Sequence, residues 1–172
     1  MSRLRRIEEQ DRFFFVTTNL GKKVADLSPS ERTLVLETLG RGRVNTGFKI
    51  FAYVVMPDHA HFMLEPATNT LTSVMREFKS KTGLLLNERR RTRGPIWQTR
   101  FFDFICRRVR DFSEKVEYIH QNPVRAGLVG KPEDWLWSSA AFYQKRNNPV
   151  FVPDFIDLPA DADTLLWPAP WR

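Results

Sequence analysis

The stretch from Lys49 to Pro66 reads KIFAYVVM, then PD, then HAHFMLEP. Two apolar, β-branched runs flank Pro57-Asp58, a pair that favours a tight turn. The pattern predicts two antiparallel strands, Lys49–Met56 and His59–Glu65, closed into a hairpin. Side chains alternate along a strand. Ala60, Phe62 and Leu64 therefore line one face, and His59, His61, Met63 and Glu65 line the other. One face can pack on helices while the histidine face stays accessible. The chain holds three histidines, and two of them share this face. Two imidazoles on a rigid strand make half of a metal site.

The flanking pattern extends the hairpin into a fold. Residues 12–20 are aromatic and β-branched and read as a strand. Ser28 and Pro29 suit the N-cap and first turn of a helix running Pro29–Leu39, with Gly40, Gly42 and Gly47 marking its exit. Thr70–Asn87 reads as a second helix, with Leu71, Val74, Phe78 and Leu85 at helical steps. A basic loop, Arg89–Pro95, precedes a fourth strand over Gln98–Cys106. The helix Arg110–Gln121 follows, and Pro123 is expected to end it. The order β-α-β-β-α-β implies an α+β, ferredoxin-like sheet with helices on one face, plus an extra C-terminal helix and an irregular tail. Residues 1–130 form the expected catalytic domain. Residues 131–172 form a C-terminal extension that carries Trp135, Trp137, Trp167 and Trp171 and packs on the same domain.

Charge separates partner classes. Residues 76–110 hold eleven basic side chains against three acidic ones, a local excess of +8 within a chain whose net charge is +7. Arginine dominates, and Trp97, Phe101, Phe102 and Phe104 lie among these charges. Such a segment points to a polyanion, nucleic acid above all. No apolar run is long enough to span a bilayer. The N-terminal Met1–Glu9 has positive charge but no apolar h-region, so it does not read as a secretory signal. The single Cys106 suits a reducing compartment. A cytoplasmic, nucleoid-associated protein is the expectation.

The helix Arg110–Gln121 supplies the other half of the site. Val109, Phe112, Val116 and Ile119 form its core stripe. Tyr118 and Asn122 are four apart and share a face if the helix persists. Asn122 could add an amide oxygen to His59 and His61 as a third metal ligand, and Tyr118 is a candidate nucleophile. This set suits phosphoryl transfer at a phosphodiester, where a divalent ion offsets charge on phosphate oxygens. A phenol is mostly protonated at neutral pH, and the sequence identifies no base for it. His120 lies two residues on, on another side of the helix, and reads as structural.

These residues resemble a known family. Met56-Pro57-Asp58-His59-Ala60-His61-Phe62-Met63-Leu64 resembles the His-hydrophobic-His motif of the IS200-like, single-tyrosine (Y1, HUH) transposases. Tyr118-Ile119-His120-Gln121-Asn122-Pro123-Val124-Arg125-Ala126-Gly127-Leu128-Val129 is similar to the tyrosine helix of one branch, the REP-associated tyrosine transposases. Ile96–Asp103 and Trp137-Ser138-Ser139 with Tyr143 fit the same branch. The likeness runs from about residue 12 to 145.

The resemblance implies a ferredoxin-like fold that cleaves and rejoins single-stranded DNA with Mg²⁺ or Mn²⁺. It makes Tyr118 the nucleophile of a 5′-phosphotyrosine link, and His59, His61 and Asn122 the metal ligands. Insertion-sequence relatives often carry glutamine where this chain has Asn122. Imidazole softness favours Mn²⁺, and abundance favours Mg²⁺. The implied substrate is a REP-type hairpin with a single-stranded guide. Lys79, Lys81, Arg93 and Arg100 are candidate phosphate contacts, and Trp97 is either a stacking platform for an unpaired base or a core residue. Arg125 either contacts DNA or caps the helix. A monomer is favoured, with a homodimer as the other option. The competing reading is a non-catalytic hairpin-binding protein. A histidine-triad hydrolase would need a third alternate histidine where Met63 stands, and a hydrolytic metal nuclease would leave Tyr118 as packing.

Overall fold

Seven main elements build the fold in a computed structural model, which describes residues 12–145 and 149–166. In order they are β1 (Phe13–Asn19), α1 (Pro29–Thr46), β2 (Lys49–Val55), β3 (His59–Glu65), α2 (Leu71–Arg90), β4 (Phe102–Cys106) and α3 (Val109–Arg125). A 3₁₀ turn (Pro132–Asp134) and a one-turn α4 (Ala140–Tyr143) follow. The N-terminal segment, Trp167 and Trp171 lie outside the described residues.

The strands form one sheet in the order β2-β3-β1-β4. Every neighbouring pair is antiparallel. β1 and β2 flank α1 in sequence but leave a gap that β3 fills, which is the split βαβ arrangement expected. The two histidines thus sit on a central strand.

Each face of the sheet has its own core. Phe14, Val16, Ile50, Tyr53, Val55, Ala60, Phe62 and Leu64 pack with α1 and α2. Phe13, Phe15, Phe51, Val54 and Met63 pack with Phe112, Val116 and Ile119 of α3. The extra helix therefore takes the opposite face from α1 and α2. The histidine face is not left accessible: α3 lies across it and buries His61. The register of β2 slips between Ile50 and Ala52. This bulge puts Phe51 and Ala52 in the same α3-side cluster, a phase change that simple alternation misses.

Element ends depart from expectation in instructive ways. α1 runs through Gly40 and Gly42 to Thr46, and only Gly47, at φ +78°, ends it in the left-handed region. Gly40 serves packing: a Cβ there would meet Phe151 of the tail at 3.3 Å. α2 continues to Arg90, taking two arginines from the expected basic loop. Its stripe runs Phe78, Thr82, Leu86 rather than through Leu85. β4 starts at Phe102, because residues 98–101 leave the ladder after Gln98 N–H bonds the Asn19 carbonyl at 2.9 Å. α3 does not stop before Pro123 but carries it inside the helix. The bond from Ala126 N–H to Asn122 C=O, 3.0 Å, keeps the turn helical.

The irregular tail covers the outer edge of β2. Val55 N–H bonds the Trp137 carbonyl at 2.9 Å, and Ser139 N–H bonds the Tyr53 carbonyl at 3.0 Å. Asp154 accepts from Ile50 N–H at 2.8 Å. An exposed edge strand invites pairing with another chain, and here the chain caps its own.

Candidate active site

The hairpin turn is pinned from outside. Leu20 N–H bonds the Asp58 carbonyl (2.9 Å), and Leu27 N–H bonds the Pro57 carbonyl (2.7 Å). This fixes where β3 begins and aims His59 and His61 toward α3. Because Pro123 does not break the helix, Asn122 stays one turn beyond Tyr118 and faces the same strand.

The two imidazoles converge on one amide. His59 Nε2 lies 3.2 Å from Asn122 Oδ1, and Asn122 Nδ2 donates to His61 Nε2 at 3.1 Å. The other ring nitrogens are held from behind. Asp58 Oδ1 accepts from His59 Nδ1 at 2.6 Å, and Thr17 Oγ1 lies 2.8 Å from His61 Nδ1. A histidine whose Nδ1–H is engaged presents the Nε2 lone pair. Burial holds His61 neutral, pushed down to about 3, with the nearby His59 adding to the effect. His61 as a whole residue is 4% exposed, whereas the His59 side chain is 21% exposed. One ligand position thus faces the interior and one faces solvent.

These residues fit a divalent cation. With Nδ1–H given to Asp58, His59 Nε2 and Asn122 Oδ1 are facing acceptors, and a cation between them satisfies both. Among the described residues, no group of three or more His, Cys, Asp or Glu is arranged to hold a metal ion by itself. Two imidazoles and an amide therefore leave coordination positions for oxygen from elsewhere, as an ion that prefers oxygen and imidazole donors requires.

Tyr118 stands beside this set. Its half-buried ring packs edge-on against His61, with centroids 5.3 Å apart, and against Phe15 at 5.7 Å. Arg125 lies over the ring at 5.2 Å and Lys115 Nζ at 6.0 Å. Positive charge is thus gathered where an anionic substrate would meet the hydroxyl. Arg125, left between two roles by its sequence position, closes over Tyr118 from two turns further along α3. His120 points away, bonds Ser139 Oγ at 2.9 Å and is buried, with its pKa pushed down to about 4. It is structural.

The basic segment does not all serve this face. Trp97 is 4% exposed, donates from Nε1 to Thr82 Oγ1 at 2.8 Å and packs on Phe78. It is a core residue and cannot stack a base. Lys79 donates to the Thr99 carbonyl at 2.9 Å, bracing the approach to β4. Lys81 pairs with Glu77 and lines a shallow cleft of about 240 Å³ between α1 and α2, on the far side of the sheet. Arg93 and Arg100 are exposed in the segment between α2 and β4. Arg90 turns inward to Glu31, while Arg108 and Arg110 meet Asp163 of the tail.

Sequence reasoning missed three contributors. Asp58 reads from sequence as turn chemistry, and its place directly before His59 is the available signal. Lys115 sits three residues before Tyr118, a helical spacing that was there to be read. Thr17 emerges only from the pairing of β1 with β3, where it is the register partner of His61.

A family model described as IS200-like transposase matches residues 23–122, more than half of the chain and inclusive of His59, His61, Tyr118 and Asn122. The chain belongs to the IS200-like transposase family. Within that family it is similar to the REP-associated tyrosine transposase of Escherichia coli (strain K12), with 28% identity over 141 residues, 81% of this chain and 82% of that protein. It is also similar to a solved structure of a REP-associated tyrosine transposase bound to a REP hairpin, with a TM-score of 0.72 and 26% identity. That match covers 95% of this chain and 98% of the other. Among the described residues, no helix is long and apolar enough to cross a membrane.

Proposed function

We propose that this transposase nicks and rejoins single-stranded DNA at REP-type hairpins, with Tyr118 as nucleophile. The observation that carries this reading is the convergence of His59, His61 and Asn122 on one point, with Tyr118 packed against His61. The similarity to a transposase solved with a REP hairpin supports the substrate class.

His59, His61 and Asn122 would hold Mg²⁺ or Mn²⁺. When bound, such an ion neutralises charge on a non-bridging phosphate oxygen and on the departing 3′-oxygen. The remaining work belongs to side chains. Asp58 and Thr17 hold the imidazoles so that both Nε2 lone pairs face inward. Arg125 and Lys115 draw the strand's phosphates to the tyrosine. The Tyr118 oxygen bonds phosphorus as the bond to the 3′-oxygen breaks. The phenolic proton passes to solvent water, and the 3′-oxygen takes a proton from water and leaves as a hydroxyl. The 5′ side stays as a phosphotyrosine. Attack by a 3′-hydroxyl then reforms a phosphodiester and returns the phenol, so bond energy is conserved and no nucleotide cofactor is needed.

The test is incubation with a hairpin oligonucleotide and Mn²⁺, followed by mass analysis of the intact protein. A DNA adduct on Tyr118 is expected, together with its loss in Tyr118→Phe at unchanged hairpin affinity. Cleavage without an adduct would make water the nucleophile and end this reading. Hairpin binding with neither cleavage nor adduct would leave a binding protein.

A further inference from the structure

We propose that Phe102, with Phe104 beside it, forms a stacking shelf for an unpaired base of the DNA strand next to Tyr118. This rests on the function proposed above and adds a recognition element that none of the expected DNA contacts supplies, Trp97 being buried.

β4 is an edge strand. Phe102 and Phe104 are two apart on it and point to one side. That side is the catalytic face. Phe102 meets the Phe15 ring edge-on at 6.4 Å, and Phe15 in turn contacts Tyr118 at 5.7 Å. Thr17 is the register partner of both His61 and Phe102. These three residues lie in one row across β3, β1 and β4, which sets Phe102 about 10 Å from His61, two strand spacings away.

Exposure rises along β4 as the strand leaves the cover of α3. Cys106 is fully buried, Phe104 is 39% exposed and Phe102 is 58% exposed. Phe13, Phe14 and Phe15 on the adjoining strand are all buried. The result is a step: α3 roofs β1 and β3 at Tyr118, and the aromatic floor continues past it to the more open Phe102. Lys115 stands at the wall, its Nζ 4.9 Å over Phe104 and 5.0 Å over Phe15. Arg100 is exposed two residues before Phe102.

The charge chooses the occupant. An apolar floor alone would suit many ligands. A floor walled by a lysine, with the candidate nucleophile and Arg125 one ring away, suits a polyanion whose monomers carry flat faces. Single-stranded DNA is that polymer, because stacking tolerates any base and the phosphates stay at the rim. A paired base has no free face to offer, so the shelf selects unpaired strand beside the scissile bond.

The experiment uses the full chain without divalent metal and a short single-stranded oligonucleotide carrying 2-aminopurine at one position, with fluorescence read on titration. Phe102→Ala should bind about ten- to a hundredfold more weakly and lose the quenching of 2-aminopurine. Phe102→Trp should keep both. Phe102→Leu, which retains apolar bulk without an aromatic face, should behave like Phe102→Ala. Equal binding and quenching in Phe102→Ala, or parent-like behaviour of Phe102→Leu, overturns the shelf. Thermal melts of each variant identify any loss that comes from unfolding, and Phe104→Ala then repeats the titration. Adduct formation on a hairpin with Mn²⁺ separates the two claims. A parent that forms the Tyr118 adduct while Phe102→Ala stacks normally sinks only the shelf. A parent that neither binds the oligonucleotide nor forms the adduct on the hairpin sinks both.

Discussion

The two faces of this sheet are built by different rules. On the α1–α2 face, local sequence and tertiary packing agree where the helices begin. Both helices open with reciprocal side-chain caps, Ser28 with Glu31 and Thr70 with Ser73. The core beneath them is aliphatic and aromatic, and Glu31 joins the start of α1 to the end of α2 through Arg90. On the α3 face the same rules are broken repeatedly. A proline sits inside the helix, two histidines are buried, and two phenylalanines are exposed. Departures of this kind gathered around His61 and Tyr118, on a well-formed sheet, mark a candidate functional surface. One face holds two of the three long helices, and the other carries the candidate site.

The sharpest way to break that division is to exchange the expected effects. Phe62 is fully buried on the α1–α2 face. Phe62→Ala should cost about 3–5 kcal/mol and lower Tm by roughly 10 °C, as large-to-small core changes do. Tyr118→Phe on the other face should change stability by less than about 0.5 kcal/mol yet reduce adduct formation by ~10³-fold or more. Thermal melts and the adduct assay, run on both variants, check this. A Tyr118→Phe protein that melts as early as Phe62→Ala would remove the distinction.

Next in size is the Glu31–Arg90 pair. Arg90 Nε lies 2.6 Å from Glu31 Oε1, and Ser28 N–H donates to Oε2 at 2.8 Å. The Arg90 hydrogen bond holds the Glu31 carboxyl down at about 2, against burial. A folded pKa below the unfolded one means stability that is present above the unfolded value near 4.5 and lost as pH falls toward 2. Glu31→Gln should cost about 2–3 kcal/mol at pH 7. The melting curves of parent and variant should converge between pH 4.5 and 2. A gap that stays constant with pH would assign the loss to capping geometry rather than charge.

Legibility in the sequence follows the same division. The hairpin, the element order and the core stripe of α3 are readable because each is set by short-range periodicity. The His59–His61 spacing and the Tyr118–Asn122 spacing are local too, so the site's composition is visible. What pairing and packing decide is not. Thr17 reaches His61 through strand register, Trp97 is drawn into the core by Thr82 and Phe78, and Lys81 is carried to the wrong side of the sheet by the turn of α2. The expected basic footprint is dispersed for that reason. Charge density along a chain says nothing about which faces of a helix the charges occupy.

Asn122 tests whether the site contributes to the fold at all. Asn122→Ala removes the hydrogen bond to buried His61 and the contact to His59. A stability loss of about 1 kcal/mol is expected, with Mn²⁺ affinity lowered about tenfold or more by titration calorimetry. Unchanged Mn²⁺ affinity would remove Asn122 from the ligand set.

The smallest expected effect has the opposite sign. Pro123 lacks the N–H that would bond the Ile119 carbonyl, and an interior proline costs a helix about 3 kcal/mol. Its buried ring recovers part of that through packing. Pro123→Ala should therefore stabilise the chain by about 1 kcal/mol, read from chemical denaturation. The gain would come on the face where local rules are broken, and an equivalent gain is not available on the other face, whose helices are already capped. The helix around Asn122 would tighten as the bond to Ile119 forms, turning the amide relative to the two imidazoles. Mn²⁺ affinity or adduct rate should then fall as stability rises. A variant that is both more stable and fully active would mean that Pro123 is a packing residue only, and the conflict in α3 would lose its link to the site.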